Sequence, residues 1–181
     1  MSTRNATTGA VWLALCLPAA ASAAEGPNLG QPIDPAEIAT WDISIQPDGV
    51  GLPPGAGTPA QGDPIFAEKC AQCHGPNGKG GVEGVTASPL VGGGPITDIS
   101  SPMKRIANFW PYATTLFDYI RRAMPWQQPK SLTNNEVYAL TAFILAQNKL
   151  IGENETMDAQ TLPKVRMPNR DGFIVRFPDA M

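Results

Sequence analysis

Histidine is almost absent from this chain: His74 is the single one in 181 residues. No site built on two imidazoles can arise within the chain. Cysteine is scarce as well, with three. One of them, Cys16, falls in a leader-like segment, so the rest of the chain holds Cys70 and Cys73 alone. With one histidine these fall short of the four ligands that a structural zinc ion requires. Basic charge is also in short supply. Lys and Arg number 13 against 16 acidic residues, a net charge of −3, so nucleic-acid binding has no electrostatic support. After residue 24 no apolar run is long enough to span a bilayer.

The first 24 residues read as a cleavable secretory signal peptide. Arg4 supplies the positive n-region, residues 10–20 form an apolar stretch too short to cross a membrane, and Ala21-Ser22-Ala23 is a small-residue cleavage site. A lipoprotein anchor at Cys16 is rejected because Leu15 precedes it, where a lipobox carries a small residue. Cleavage near Ala23 or Ala24 removes Arg4 and Cys16 and leaves about 157 residues with a formal charge of about −4. A bacterial chain with such a signal is expected in the periplasm.

What is plentiful is proline and glycine, 19 and 18 residues, concentrated outside the segments with helical periodicity. The pattern divides the exported chain into a Pro/Gly-rich N-terminal arm (25–60), a helical domain (61–150) and a C-terminal arm (151–181). Pro53-Pro54-Gly55-Ala56-Gly57 breaks any regular element. Trp41, Ile43 and Ile45 argue that part of the first arm docks on the core or on a partner.

The densest chemical signal is Cys70-Ala71-Gln72-Cys73-His74. A C-x-x-C-H run is the attachment site of a c-type haem. Each thiol adds across one vinyl group, and the adjacent imidazole becomes the proximal ligand of the iron. A thioredoxin-like C-x-x-C pair would require a βαβ context, which is missing. Cys70 and Cys73 are thus the covalent haem ligands and His74 the proximal iron ligand. Both cysteines being used, the exported chain is expected to hold one haem, no disulfide and no free thiol.

Helical signals surround this motif. A first helix is expected from Asp63, with Asp63 as N-cap and Pro64 at the first helical position. Phe66, Cys70 and Cys73 then share a face, and the helix ends near Gly75-Pro76. The apolar turn over residues 88–95 offers carbonyls to the free imidazole nitrogen of His74. A second helix runs from Thr114 or Thr115 to Ala123, with Leu116, Phe117 and Ile120 buried. It stops at Met124 because Pro125 disfavours helical geometry before it. The last helix opens on the capping box Thr133-Asn134-Asn135-Glu136 and runs to about Asn148 with Val137, Leu140, Thr141 and Ile144 inward. Three main helices around one haem, with irregular arms, make an all-α class I cytochrome c.

The distal side of the iron needs methionine or an open position. Five methionines follow the leader: 103, 124, 157, 167 and 181. Met124 is the favoured distal ligand, held in a loop before the closing helix; Met103 and an open site are the alternatives. A Met/His pair raises the reduction potential. Lys104, Arg105, Trp110, Tyr112, Arg121, Arg122 and Trp126 lie nearby in sequence as candidates for propionate contacts or a docking rim. Adjacent Arg121 and Arg122 diverge by about 100° on a helix and cannot both face inward.

From about Trp41 to Phe173 the chain resembles the monohaem cytochrome c subunits of periplasmic sulfur-compound (sulfane/sulfite) dehydrogenases, the SoxD-like cytochromes of thiosulfate oxidation. The residues that carry this are Trp41-Asp42-Ile43, Pro47-Asp48-Gly49-Val50-Gly51-Leu52-Pro53-Pro54-Gly55, the haem motif, Trp110-Pro111-Tyr112-Ala113-Thr114-Thr115, Tyr119-Ile120-Arg121-Arg122-Ala123-Met124-Pro125 and Met167-Pro168-Asn169-Arg170-Asp171-Gly172-Phe173. The resemblance implies a molybdenum-cofactor dehydrogenase subunit as electron donor and a downstream cytochrome c as acceptor. The chain itself would be an electron-transfer subunit and not catalytic alone. Two departures stand out. Some relatives carry a second haem, for which this chain has no motif. Cytochromes c usually place proline two residues before the haem-packing leucine, whereas Ser88 stands there before Leu90.

Three other functions compete. A free shuttle cytochrome would not need such arms. A peroxidase-like haem enzyme would want an open iron and a second histidine. A cytochrome subunit of a quinoprotein alcohol dehydrogenase shares the methionine loop and stays open. Neither arm is expected to be needed to enclose the haem, so both are assigned to partner docking.

Overall fold

The computed structural model describes residues 29–98, 100 and 104–174. The leader with Cys16, and Met103 and Met181, lie outside the described residues. In chain order the elements are α1 (Pro35–Trp41), β1 (Ala56–Gly57), α2 (Pro59–Lys69), α3 (Ala71–His74), α4 (Ile106–Phe109), α5 (Ala113–Ala123), α6 (Asn134–Gln147) and β2 (Met157–Asp158).

Helix α6 is the centre of the molecule. The Thr133–Glu136 capping box starts it, with both reciprocal bonds made, so two otherwise orphaned backbone donors are satisfied. Residues 137–145 are all buried, which marks a helix that presents no face to bulk solvent. Val137, Leu140, Thr141 and Ile144 are inward as their spacing predicts. Thr141 donates its hydroxyl to the Val137 carbonyl at 2.7 Å, which lets a polar side chain sit there without a lost hydrogen bond.

Helix α2 starts five residues earlier than the sequence suggests. Thr58, not Asp63, is the N-cap: its hydroxyl accepts from the Gln61 N–H while Gln61 Oε1 accepts from the Thr58 N–H. Pro59 occupies the first turn, and Pro64 lies inside the helix. The reciprocal cap and the packing on α6 outweigh the helix bond that Pro64 cannot make to the residue four before it. Contact with α6 is close because Gly57 and Gly62 face Ala139. A Cβ at Gly62 would fall inside contact distance of the Ala139 carbonyl and the Phe143 Cβ.

Helix α5 runs from Ala113 with Leu116, Phe117 and Ile120 buried, as its periodicity predicts. It ends where expected, with Met124 extended at φ −117° and ψ 144°. The Phe117 and Tyr138 rings meet at 4.4 Å between centroids, joining α5 to α6.

The arms are irregular, but they are not dispensable wrappings. β1 and β2 pair antiparallel, with Gly57 opposite Met157, so the two arms touch each other. Met157, Leu162 and Met167 are at most 2% exposed and belong to the main core. From the first arm, Ile45 and Leu52 pack against it, and the Pro53 carbonyl accepts from the Tyr138 hydroxyl at 2.9 Å. The expectation that the arms are unnecessary for the haem domain is therefore corrected: a core helix as apolar as α6 must be covered on all sides, and the arms supply part of that cover. Helix α1 differs. Ile38 and Trp41 are exposed, Trp41 at 78%. Among the described residues no helix is long and apolar enough to cross a membrane.

Two substitutions test this packing. Gly62→Ala is expected to lower stability by about 1–3 kcal/mol, since backbone lies where the methyl must go. Gly94→Ala meets nothing within 4 Å and should leave the melting temperature within error. Equal melting temperatures for both variants would contradict the close crossing. Leu162→Ala should cost about 2–5 kcal/mol, the usual range for a buried leucine; a loss below about 1 kcal/mol would return the C-terminal arm to the status of a loose tail.

Candidate functional site

The site begins with a helix break. Cys70 ends α2 with its N–H on the Phe66 carbonyl, and its own carbonyl accepts from His74 N at 2.9 Å, so α3 presents Cys73 and His74 one turn further on. Gly75 then turns the chain at φ 74°, and Gly80 N donates to the His74 carbonyl at 2.7 Å. A side chain at Gly75 would collide with the Gly80 backbone, so the turn requires glycine. The loop is pinned again where Leu90 and Val91 both donate to the Gly78 carbonyl, at 2.8 and 3.0 Å.

That pinning places the Ser88 carbonyl 2.9 Å from His74 Nδ1. Because a carbonyl only accepts, Nδ1 carries the proton and Nε2 keeps its lone pair for a metal. The absence of proline at position 88 is thus without consequence for the imidazole: the contact is made by backbone, and any residue supplies it. The 88–95 turn does what its sequence suggests.

Cys70, Cys73, His74 and Met124 all line one cavity of about 620 Å³, within the range of about 300–1,000 Å³ typical of cofactor sites. Its walls are apolar, from Phe66, Leu90, Ile106, Leu116, Ile120 and Ile144 among others. Cys70 and Cys73 are not joined in a disulfide. Burial pushes the Cys70 thiol up to about 11, so at neutral pH it is not a ready thiolate, which argues against dithiol redox chemistry. Two thiols, an oriented imidazole and a thioether around one mostly apolar cavity form a donor set suited to haem.

Among the described residues no other methionine reaches the cavity. Met157 and Met167 are packed in the core as apolar filler and are not among the lining residues. Of the nearby polar and aromatic candidates, Lys104, Arg105, Trp110 and Trp126 line the cavity; Tyr112, Arg121 and Arg122 do not. Tyr112 instead lies under the Arg170 guanidinium at 4.1 Å, and Arg122 holds Asp118 and the Ile43 carbonyl. Arg105 donates to the Val91 carbonyl at 2.7 Å. Trp110 meets Tyr119 edge-on at 5.7 Å, and Tyr119, about half exposed, and Trp126, largely exposed, line the solvent-facing part of the cavity.

Sequence reasoning missed Lys69 and Tyr119. Lys69 lines the cavity and pairs with Glu136 at 3.3 Å, tying the end of α2 to the start of α6. Its position directly before Cys70 was the available signal.

Three comparisons with known proteins bear on this site. A family model described as cytochrome c matches residues 59–148. The crystal structure of the sulfane dehydrogenase SoxCD from Paracoccus pantotrophus is similar, with 36% identity and a TM-score of 0.69, over 85% of this chain and 74% of the other. No curated protein matches the chain. The structural likeness extends well beyond the residues of the family model and so takes in parts of the arms.

The Glu136 carboxyl is held below its ordinary range, first by the Thr133 N–H and then by the hydroxyl of Thr133 and by Lys69. A depressed carboxylate stabilises the fold above its unfolded-state value and loses that contribution as pH falls through the native one. The stability of Glu136→Gln should therefore fall less steeply with acidification than that of the parent, while at neutral pH it is lower. Parallel acid limbs in chemical denaturation would contradict this.

Proposed function

Because the chain belongs to the cytochrome c family, as a SoxD-like cytochrome subunit of a sulfur-compound dehydrogenase, we propose that it accepts electrons from a molybdenum-cofactor subunit oxidising sulfane or sulfite sulfur and passes them to a downstream cytochrome c. A cytochrome c domain implies covalently bound haem c. The observation that carries the reading is the single cavity onto which Cys70, Cys73, His74 and Met124 all open.

The bound haem supplies a one-electron ferric/ferrous couple. Cys70 and Cys73 would hold it by thioether bonds at the start and end of the short helix α3. His74, oriented by the Ser88 carbonyl, would ligate the iron through Nε2, and Met124 would supply a soft sulfur that favours the ferrous state and raises the potential. The apolar walls exclude water and so disfavour the more highly charged ferric state in the same direction. Lys104 and Arg105 are the lining cations besides the paired Lys69, and they offer the propionates a counter-charge.

Location and partner follow from the same reading. Haem attachment to a C-x-x-C-H chain takes place after export, and the leader proposed for residues 1–24 directs the chain to the periplasm. Helix α1, with Ile38 and Trp41 outward, supports a subunit held in a complex rather than a free shuttle, since an isolated protein gains nothing from exposing them.

Two measurements check this. Intact mass of the exported protein should exceed the polypeptide by one haem, and the haem should survive acid-acetone extraction; extractable haem would sink the thioether assignment. Mixed anaerobically with its molybdenum partner and sulfite or a sulfane donor, the ferric protein should be reduced by one electron per chain, with no reduction when the partner is omitted. Reduction instead by a quinoprotein and alcohol would assign it to the other complex.

A further inference from the structure

Helix α5 is clamped at both ends by the arms. At its start Tyr112 bridges to Arg166 of the C-terminal arm. At its end Arg122 reaches the N-terminal arm: Nε donates to Asp118 at 2.7 Å and a terminal nitrogen donates to the Ile43 carbonyl at 2.8 Å. An exposed i,i+4 ion pair alone is worth little. Here, however, the carboxylate orients the planar fork, and its free edge grips backbone 79 residues away.

The gripped carbonyl is itself set by a turn. Asp42 accepts from Ser44 N at 3.0 Å, and this bond, more than Arg122, holds the Asp42 carboxyl below its ordinary range. The turn redirects the chain from exposed α1 into the docked stretch that leads through Ile45 to Leu52. Two residues beyond Arg122 stands Met124, extended and without helical bonds of its own beyond its N–H on the Ile120 carbonyl at 3.1 Å. The position of its sulfur therefore follows the last turn of α5.

We propose that Arg122 is a positioning residue for Met124: by bonding the Ile43 carbonyl it makes the N-terminal arm part of the support of the distal ligand. The inference rests on Met124 as that ligand. Its corollary is that whatever engages Trp41 and Ile38 acts, through one hydrogen bond, on the helix turn that delivers the thioether.

The test is competition for the distal position by added imidazole in the intact ferric haem protein. Met124→Ala should bind imidazole far more tightly than the parent; if it binds no more tightly, the ligand assignment fails. Arg122→Gln should tighten imidazole binding about tenfold, the order expected when one hydrogen bond to a charged group is lost. Asp118→Asn keeps an acceptor for the guanidinium and should bind like the parent. If Met124→Ala opens the site while Arg122→Gln binds as the parent does, the tie is overturned. A lowered melting temperature for Arg122→Gln with unchanged imidazole affinity would give the residue a merely structural role and overturn it equally.

Discussion

The close approach of helix α2 to helix α6 is the constraint on which the rest of the molecule depends. Gly62 leaves room for the Ala139 backbone, and the Phe66 and Phe143 rings then pack at 5.0 Å. This crossing brings the end of α2, where Cys70 lies, level with Leu140 and Ile144, which line the same cavity. A larger residue at position 62 would lift the thiols off that floor. The capping boxes at Thr58 and Thr133 fix where each helix begins, and the Lys69–Glu136 pair ties the end of one to the start of the other.

Around this cross the remaining chain works as a set of backbone tethers. The Gly78 carbonyl holds residues 90 and 91, which places the Ser88 carbonyl on His74. Asn148 holds the same loop from α6, donating to the Leu90 carbonyl at 3.1 Å and accepting from Gly92 N at 3.0 Å. The arms act in the same way on the other side, with Tyr138 on Pro53, Arg122 on Ile43 and Asn169 on the Phe109 carbonyl at 2.7 Å. His74 is thus oriented by a nearby loop that Asn148 also holds from afar, and Met124 follows a helix that the arms hold at both ends.

The span of these contacts also explains what was legible in the sequence. The haem motif, the end of α5 before Pro125 and the capping box of α6 are local signals, and each is found where the residues place it. The start of α2 was misread because Asp63-Pro64 and Thr58-Pro59 offer the same local pattern; only the reciprocal bond from Gln61 and packing on α6 decide between them. The role of the arms was misjudged for a similar reason. Pro- and Gly-rich composition signals irregular backbone, but irregular backbone can still bury Met157, Leu162 and Met167 when an all-round apolar helix needs cover. The fate of Arg122 was hidden too, since its partner lies 79 residues away and no periodicity relates them.

The central proposal is that His74 and Met124, which line the same cavity, would both ligate one haem iron. The ferric protein should then show a weak sulfur-to-iron charge-transfer absorption near the red end of the visible spectrum. Met124→Ala should abolish it and lower the reduction potential, with the covalent haem retained. A band that survives in Met124→Ala, or that disappears in Met103→Ala instead, would contradict the account.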